Sequence, residues 1–294
     1  MGKLTWHNSK RCSPPFLRKD KVGHPPRPYL NNNLQRWHKN IKQMHSQLPA
    51  RIAVISDLHA NLEALQQVLA DIADQGIEQI MGLGDIVGYG PDPEQVTQLV
   101  QDRQITMIMG NHELALAGGN YRQRLNESTQ KSIEITESLL SRPLRDYLAS
   151  LPPTLVSNGF RFVHGCPPDS IETYLFRPEP SRLRRIFSMF DERICFFGHT
   201  HQLELFEYDP TSSKILSTEL QPGLFQLIKG KRYLINAGSV GQPRDGINNF
   251  AKYLIHDRVK DEIEVRAIPY DAEKTARKII DLGFPQFNAL RLLQ

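Results

Sequence analysis

Cysteine is nearly absent from this chain: its 294 residues include only Cys12, Cys166 and Cys195, at no spacing that pairs them. That scarcity excludes a disulfide framework and a thiolate metal cluster. No apolar run approaches the roughly 20 residues needed to cross a bilayer, and no secretory apolar segment precedes the globular part. The expected setting is reduced and cytoplasmic, with no membrane partner. Internal repeats are lacking, and Asn31 to Asn33 is the sole low-complexity stretch.

Acid is almost missing from the first 48 residues, which hold ten Lys or Arg against Asp20 alone, a net of +9. The rest of the chain holds 26 basic and 31 acidic side chains, a net of −5, so the overall charge of +4 belongs to the N-terminal segment. This divides the chain into a basic extension, 1–48, and a domain, 49–294. The extension contains HPPRPYLNNNLQ and no apolar period, and is expected to lack order. As a basic arm it would touch nucleic acid or an anionic surface. As a targeting sequence it is short of Ser and of an amphipathic helix. The favoured expectation is a start called too early, with translation beginning at Met44. Nucleic acid is a partner only if the extension is translated.

Five short blocks carry the chemistry: RIAVISDLH, IMGLGD, ITMIMGNHE, FRFVHG and ICFFGHTH. They present Asp57 and His59, Asp85, Asn111, His164, then His199 and His201. Four run from an apolar stretch through an abrupt Gly or Ser to the polar residue, while FRFVHG passes straight into His164. Such runs read as buried strands that deliver side chains onto loops at one sheet edge, where open α/β sheets bind ligands. Any single block is explained by a turn Asp or a packed His; the series at strand ends is not.

Two carboxylates, one amide and four imidazoles make a mixed oxygen and nitrogen set that suits Mn, Fe, Zn, Co or Ni better than Ca. Seven ligands exceed one tetrahedral centre. Asp85 is placed to bridge two ions about 3.5–4 Å apart, as in phosphatases and nucleases.

The spacing of Leu62, Leu65, Val68, Leu69 and Ile72 predicts a helix ending at Gly76, and EQVTQLVQD a second, shorter one. Alternation of strand and helix implies a parallel sheet with right-handed crossovers. Residues 126–150 read as a helical segment broken at Pro143 and capping the site. Asn158-Gly159 predicts a two-residue hairpin. The later runs LELFEY, GLFQLI, RYLINA, AKYLIHD and EIEVRAI are expected to continue a second sheet. Cys195 sits in a predicted buried strand, whereas Cys166 reads as a loop residue rather than a ligand.

In these blocks the chain resembles the calcineurin-like metallophosphoesterase superfamily. The pattern is carried by Asp57-Leu58-His59, Gly84-Asp85, Gly110-Asn111-His112-Glu113, Val163-His164-Gly165 and Gly198-His199-Thr200-His201. The similarity extends from Arg51 to the end and resembles the small bacterial-type metallophosphatases rather than the eukaryotic protein phosphatases.

The resemblance implies an α/β fold, a four-layer α/β/β/α sandwich of two mixed sheets flanked by helices. It implies one metal on Asp57, His59, Asp85 and His201, and another on Asp85, Asn111, His164 and His199. Manganese is the first expectation. It further implies attack by a metal-bridging hydroxide on a phosphomonoester or phosphodiester of a small molecule or nucleotide. His112 would protonate the leaving group, a task suited to a near-neutral imidazole.

Protein phosphatases of this kind carry an Asp and an Arg after the Gly-Asp block, where this chain has Gly88, Tyr89 and Gly90. Protein phosphatase activity is therefore disfavoured. Arg244 is a substitute phosphate contact and Tyr89 a cleft-lining residue in this reading. The alternatives are a nuclease or cyclic-nucleotide phosphodiesterase, and a non-catalytic protein-binding scaffold on the same fold.

Overall fold

The computed structural model describes residues 49–294, so the readings of the basic extension, including the start at Met44, lie outside the described residues. Two six-stranded mixed sheets pack face to face. The first is built on β1 (Arg51–Ile55), β2 (Ile80–Gly82) and β3 (Thr106–Met107), which are parallel. The second is built on β5 (Phe160–Val163), β6 (Ile194–Phe197) and β10 (Arg232–Ala237), also parallel.

Alternation along β1 shows how the layers form, because successive side chains of a strand point to opposite faces. Ile52 and Val54 enter the core between the sheets with Phe162, Phe196 and Ile235. Ala53 and Ile55 face outward, onto α1 (Leu62–Asp74), α2 (Pro93–Asp102) and α5 (Arg142–Ala149). Both faces are covered, so the strand is apolar throughout. Burying each large apolar side chain contributes roughly 1.5–3 kcal/mol. On the other side, α6 (Pro180–Phe187) covers the second sheet through Leu183, Ile186 and Phe187. The result is the four-layer sandwich.

Helix α1 follows its sequence pattern: Asn61 caps it by accepting the Ala64 N–H at 3.1 Å, and Leu65, Val68, Leu69 and Ile72 enter the core. The chain leaves it at Gly76, with φ 65°. The hairpin between β4 (Thr154–Ser157) and β5 has Asn158 and Gly159 at φ 53° and 81°, as a two-residue turn requires.

Two expectations are corrected. Residues 126–150 form α4 (Glu127–Leu139) and α5, and the break falls before Pro143, which occupies the first turn of α5. Proline is accepted there because its missing N–H has no helical partner to lose. The pair packs in the outer helical layer and meets the site through α3 (Asn111–Leu116), which contacts both α4 and α5.

Sheet membership also differs. β7 (Leu203–Asp209) and β10 lie in the second sheet, whereas β9 (Gly223–Gln226), β11 (Ala251–Asp257) and β12 (Glu262–Ile268) join the first. β11 pairs antiparallel with β1, which makes it a central strand of that sheet. β8 (Lys214–Glu219) edges the second sheet, and α7 (Ala272–Asp281) and α8 (Gln286–Leu290) close the chain. Among the described residues no helix is long and apolar enough to cross a membrane.

Candidate metal centre

All five blocks end at one rim of the sandwich. The first sheet supplies Asp57 and His59 after β1, Asp85 after β2, and Asn111 and His112 at the start of α3. The second supplies His164 after β5, and His199 and His201 after β6. All are buried.

The turns that aim them are strained. Asp57, His59, Asp85, His199 and His201 have φ of 53°, 44°, 52°, 69° and 60°, the left-handed region that costs a non-glycine residue roughly 1–3 kcal/mol. Surrounding bonds over-determine them. The Ser239 hydroxyl and the Gly241 N–H both donate to the Asp57 carbonyl, at 2.8 and 2.9 Å, which accounts for the NAGSVG segment. Gly110 is required by close approach, since a Cβ there would stand 2.2 Å from Asp85 Oδ1.

The distal nitrogens of four imidazoles are fixed by backbone carbonyls. His59 Nδ1 faces Val87 O at 3.2 Å, His164 Nδ1 faces Leu83 O at 2.8 Å, His199 Nε2 faces Glu172 O at 3.2 Å and His201 Nδ1 faces Gln242 O at 2.6 Å. A carbonyl only accepts, so each of these nitrogens carries the proton. In a neutral ring the other nitrogen then presents a lone pair.

Those lone pairs point at one another. His59 Nε2 and His201 Nε2 are 3.0 Å apart, and His201 Nε2 is 3.2 Å from Asp57 Oδ1. On the other side His164 Nε2 is 3.0 Å from Asn111 Oδ1, 3.1 Å from His199 Nδ1 and 3.3 Å from Asp85 Oδ2. Asp85 Oδ2 also lies 3.7 Å from His59 Nε2, so it faces both clusters. Acceptors packed this closely repel unless a cation sits among them. Asp57 Oδ1 is buried without a hydrogen-bond donor among the described residues. The donor set therefore fits divalent metal, and Asp57-His59-His201, His59-Asp85-His112 and Asp85-His164-His199 are each compact enough to hold an ion.

Electrostatics agree. Burial works against the Asp85 carboxylate, but His164 and His112 hold it well below its usual range. Burial likewise opposes Asp57, and His201 outweighs it. Burial pushes His199 down to about 3, with His164 adding to the effect, and pushes His112 down to about 4. His164 alone among them moves up, to about 9, because Asp85 overcomes its burial.

A model of the calcineurin-like phosphoesterase superfamily domain matches residues 51–261. The chain belongs to that superfamily. A metallophosphoesterase from Sphaerobacter thermophilus is 33% identical in sequence and superposes with a TM-score of 0.72, covering 83% of this chain and 98% of that one. The uncharacterized protein MJ0912 of Methanocaldococcus jannaschii is 37% identical over 246 residues, 82% of this chain and 96% of its own length. The hypothetical protein PH1004 of Pyrococcus horikoshii shares the fold, with a TM-score of 0.66 at 19% identity, over 82% of this chain and 97% of that one.

In this calcineurin-like chain His112 lies beside the Asp85 carboxylate, its Nε2 4.0 Å from Oδ2, and its buried Nδ1 has no partner among the described residues. The loop of Gly88 and Tyr89 packs against this ring. A Cβ at Gly88 would stand 1.9 Å from His112 Nδ1, so the glycine is what admits the ring. Gly88→Ala is expected to displace His112 and lower turnover at least tenfold while the metal content by elemental analysis is unchanged; a wild-type rate would show that the ring's position is immaterial.

Tyr89 contacts the His59 and His112 rings, at centroid distances of 4.6 and 4.5 Å, and the Arg244 guanidinium lies over it at 5.8 Å. Cys166 packs in the apolar cluster under α6 and belongs to none of the three metal-competent groups.

Sequence reasoning gave no role to two neighbours, Glu113, which it named only as part of a motif, and Tyr174, which it did not name. Glu113, fully buried, accepts the N–H groups of Asp85 and Gly110 at 2.8 Å each and of Val87 at 3.2 Å, tying two ligand loops together. Burial and then Asp85 raise it to about 7. Its place three residues after the helix-capping Gly110 was the available signal. Tyr174 stacks on His199 with centroids 3.6 Å apart, and no motif marks it.

Proposed function

We propose that this chain is a binuclear, metal-dependent phosphoesterase acting on a phosphorylated small molecule or nucleotide. The reading is carried by the two clusters of opposed lone pairs that share the Asp85 carboxylate. One ion would be held by Asp57, His59, Asp85 and His201, the other by Asp85, Asn111, His164 and His199. Two divalent ions held by these donors, manganese first and iron, zinc, cobalt or nickel also tolerated, would supply acidified water and charge neutralisation on phosphoryl oxygens.

The protein's own groups do the rest. His112 is the general acid for the leaving oxygen. Burial disfavours its imidazolium, and the negative charge of a bound phosphoester would favour it. Tyr89 fixes the edge of that ring, and Arg244 presents a fixed positive charge beside it. Buried, unpaired Cys166 and Cys195 support a reducing, cytoplasmic setting.

Hydrolysis of p-nitrophenyl phosphate and bis-p-nitrophenyl phosphate by metal-stripped protein, before and after adding manganese, tests the reading. We expect turnover only with manganese, and the preferred substrate separates monoesterase from diesterase. Stoichiometric bound metal with no hydrolysis of either would favour the scaffold reading instead.

A further inference from the structure

Beside the metal cluster a cavity of about 460 Å³ opens between the loop after β10 and the end of the chain. Arg244, Asn248, Asn249, Phe287 and Arg291 line it. Building on the phosphoesterase reading, we propose that Arg244 and Arg291 form an anion subsite. It holds a second anionic group on the leaving side of the substrate, so the substrate class is a phosphoester bearing a further phosphate or carboxylate.

Two guanidiniums share this cavity, and neither has a carboxylate within salt-bridge distance among the described residues. Arg244 gives one hydrogen bond, from Nη2 to Gln242 Oε1 at 2.6 Å, and its buried Nε meets no acceptor. Arg291 rests on the Phe287 ring at 4.3 Å. The adjacent carboxylate, Asp245, makes no salt bridge to either guanidinium among the described residues; its Oδ1 faces Lys252 at 3.4 Å and accepts the Ile247 N–H at 3.0 Å, and its buried Oδ2 has no partner there. Partly buried like charges left unpaired are unfavourable, and an anion between them removes the penalty. The same proximity lowers Arg291, first through burial and then through Arg244.

The two segments that carry the pair are also tied down. Lys252, fully buried, anchors the loop by donating to the Asn248 side chain at 2.8 Å. Asn249 ties that loop to the C-terminal turn through the Leu292 carbonyl at 2.8 Å. Ordering the segments in advance lowers the entropy cost of bringing two guanidiniums to one anion. The leaving side is indicated by contact: His112 touches Tyr89, Tyr89 lies under Arg244, and Arg244 opens onto the cavity.

The test uses the manganese-loaded full chain and two substrate pairs that differ by one anionic group. One pair is para-carboxyphenyl phosphate against phenyl phosphate. The other is a nucleoside bisphosphate, with phosphates on two ribose hydroxyls, against the nucleoside monophosphate. We expect kcat/KM to favour the more anionic member of at least one pair about tenfold or more, the worth of a charge-assisted hydrogen bond. The pair that responds tells carboxylate from phosphate. Arg291→Gln should bring that ratio close to one, and Arg291→Lys should keep most of it. A ratio that is the same in wild type and Arg291→Gln overturns the subsite, even with turnover intact.

Loss of all turnover would refute the phosphoesterase reading, and the subsite has a separate readout. Sulfate should raise the Tm of the wild type more than that of the Arg244→Gln/Arg291→Gln double variant. Equal shifts would overturn it.

Discussion

Replacing Asp85 with Asn is expected to strip the protein of both ions and of measurable turnover. One oxygen of this carboxylate faces His164 at 3.3 Å on one side and His59 at 3.7 Å on the other, while the second accepts the His112 N–H at 2.9 Å. The amide keeps the shape and loses the charge. Losing even an outer partner of a ligand costs roughly 10- to 100-fold in metal affinity. Here the group lost faces both clusters, so the two sites should empty together. Without the Asp85 charge, the influence that lifts His164 to about 9 against its burial is gone. Elemental analysis of the dialysed variant, beside manganese-dependent hydrolysis, checks the expectation. Two ions per chain with a wild-type rate would refute the assignment of Asp85 as the shared ligand.

His112→Ala is expected to do the opposite: keep the ions and lower the rate by roughly 10²- to 10⁴-fold, the usual contribution of a positioned acid. The measurement has an internal check, because His112 also stands in a compact group with His59 and Asp85 that can hold an ion. If it were a ligand, metal content would fall with activity. As an acid it leaves the metal content unchanged, and added imidazole restores part of the rate. The loss should also shrink for substrates with acidic leaving groups, which need little protonation. An equal loss on p-nitrophenyl and alkyl esters would sink the general-acid role.

The parts of the fold written in short-range pattern were legible in advance. Leu65, Val68, Leu69 and Ile72 recur at helical spacing, Asn158-Gly159 has the backbone freedom of a tight hairpin, and each ligand block ends a run too apolar to lie at the surface. Sheet membership was not. β11 and β12 pair with each other in a local hairpin, and nothing in AKYLIHD shows that its free edge meets Arg51–Ile55, some 200 residues earlier. Pro143 shows a milder failure, since proline both breaks a helix and begins one, and only the structure tells which.

At the site, the clustered Asp, Asn and His side chains were legible because each follows a short apolar run. Their supporting groups were hidden for the converse reason. The carbonyls of Leu83, Val87, Glu172 and Gln242 act through the backbone, which any residue supplies. Tyr174 and Arg291 reach the site from segments whose own sequence has no relation to the ligand blocks.

The division of ligands between the sheets has a mechanical side. Asp57, His59, Asp85 and Asn111 hang from one sheet, and His164, His199 and His201 from the other. Ions held there would staple the sandwich along a single rim. The opposite rim, where β4 turns into β5, is closed by apolar packing and by the ion pair of Arg193 with Asp261 between the sheets, at 2.6 and 2.8 Å. Chelation would then unfasten one edge first, letting the layers open like a book whose spine is the far side of the core. The strained turns at Asp57, Asp85 and His199 would relax as it opened, so the proposed catalytic edge would also be the edge at which unfolding begins.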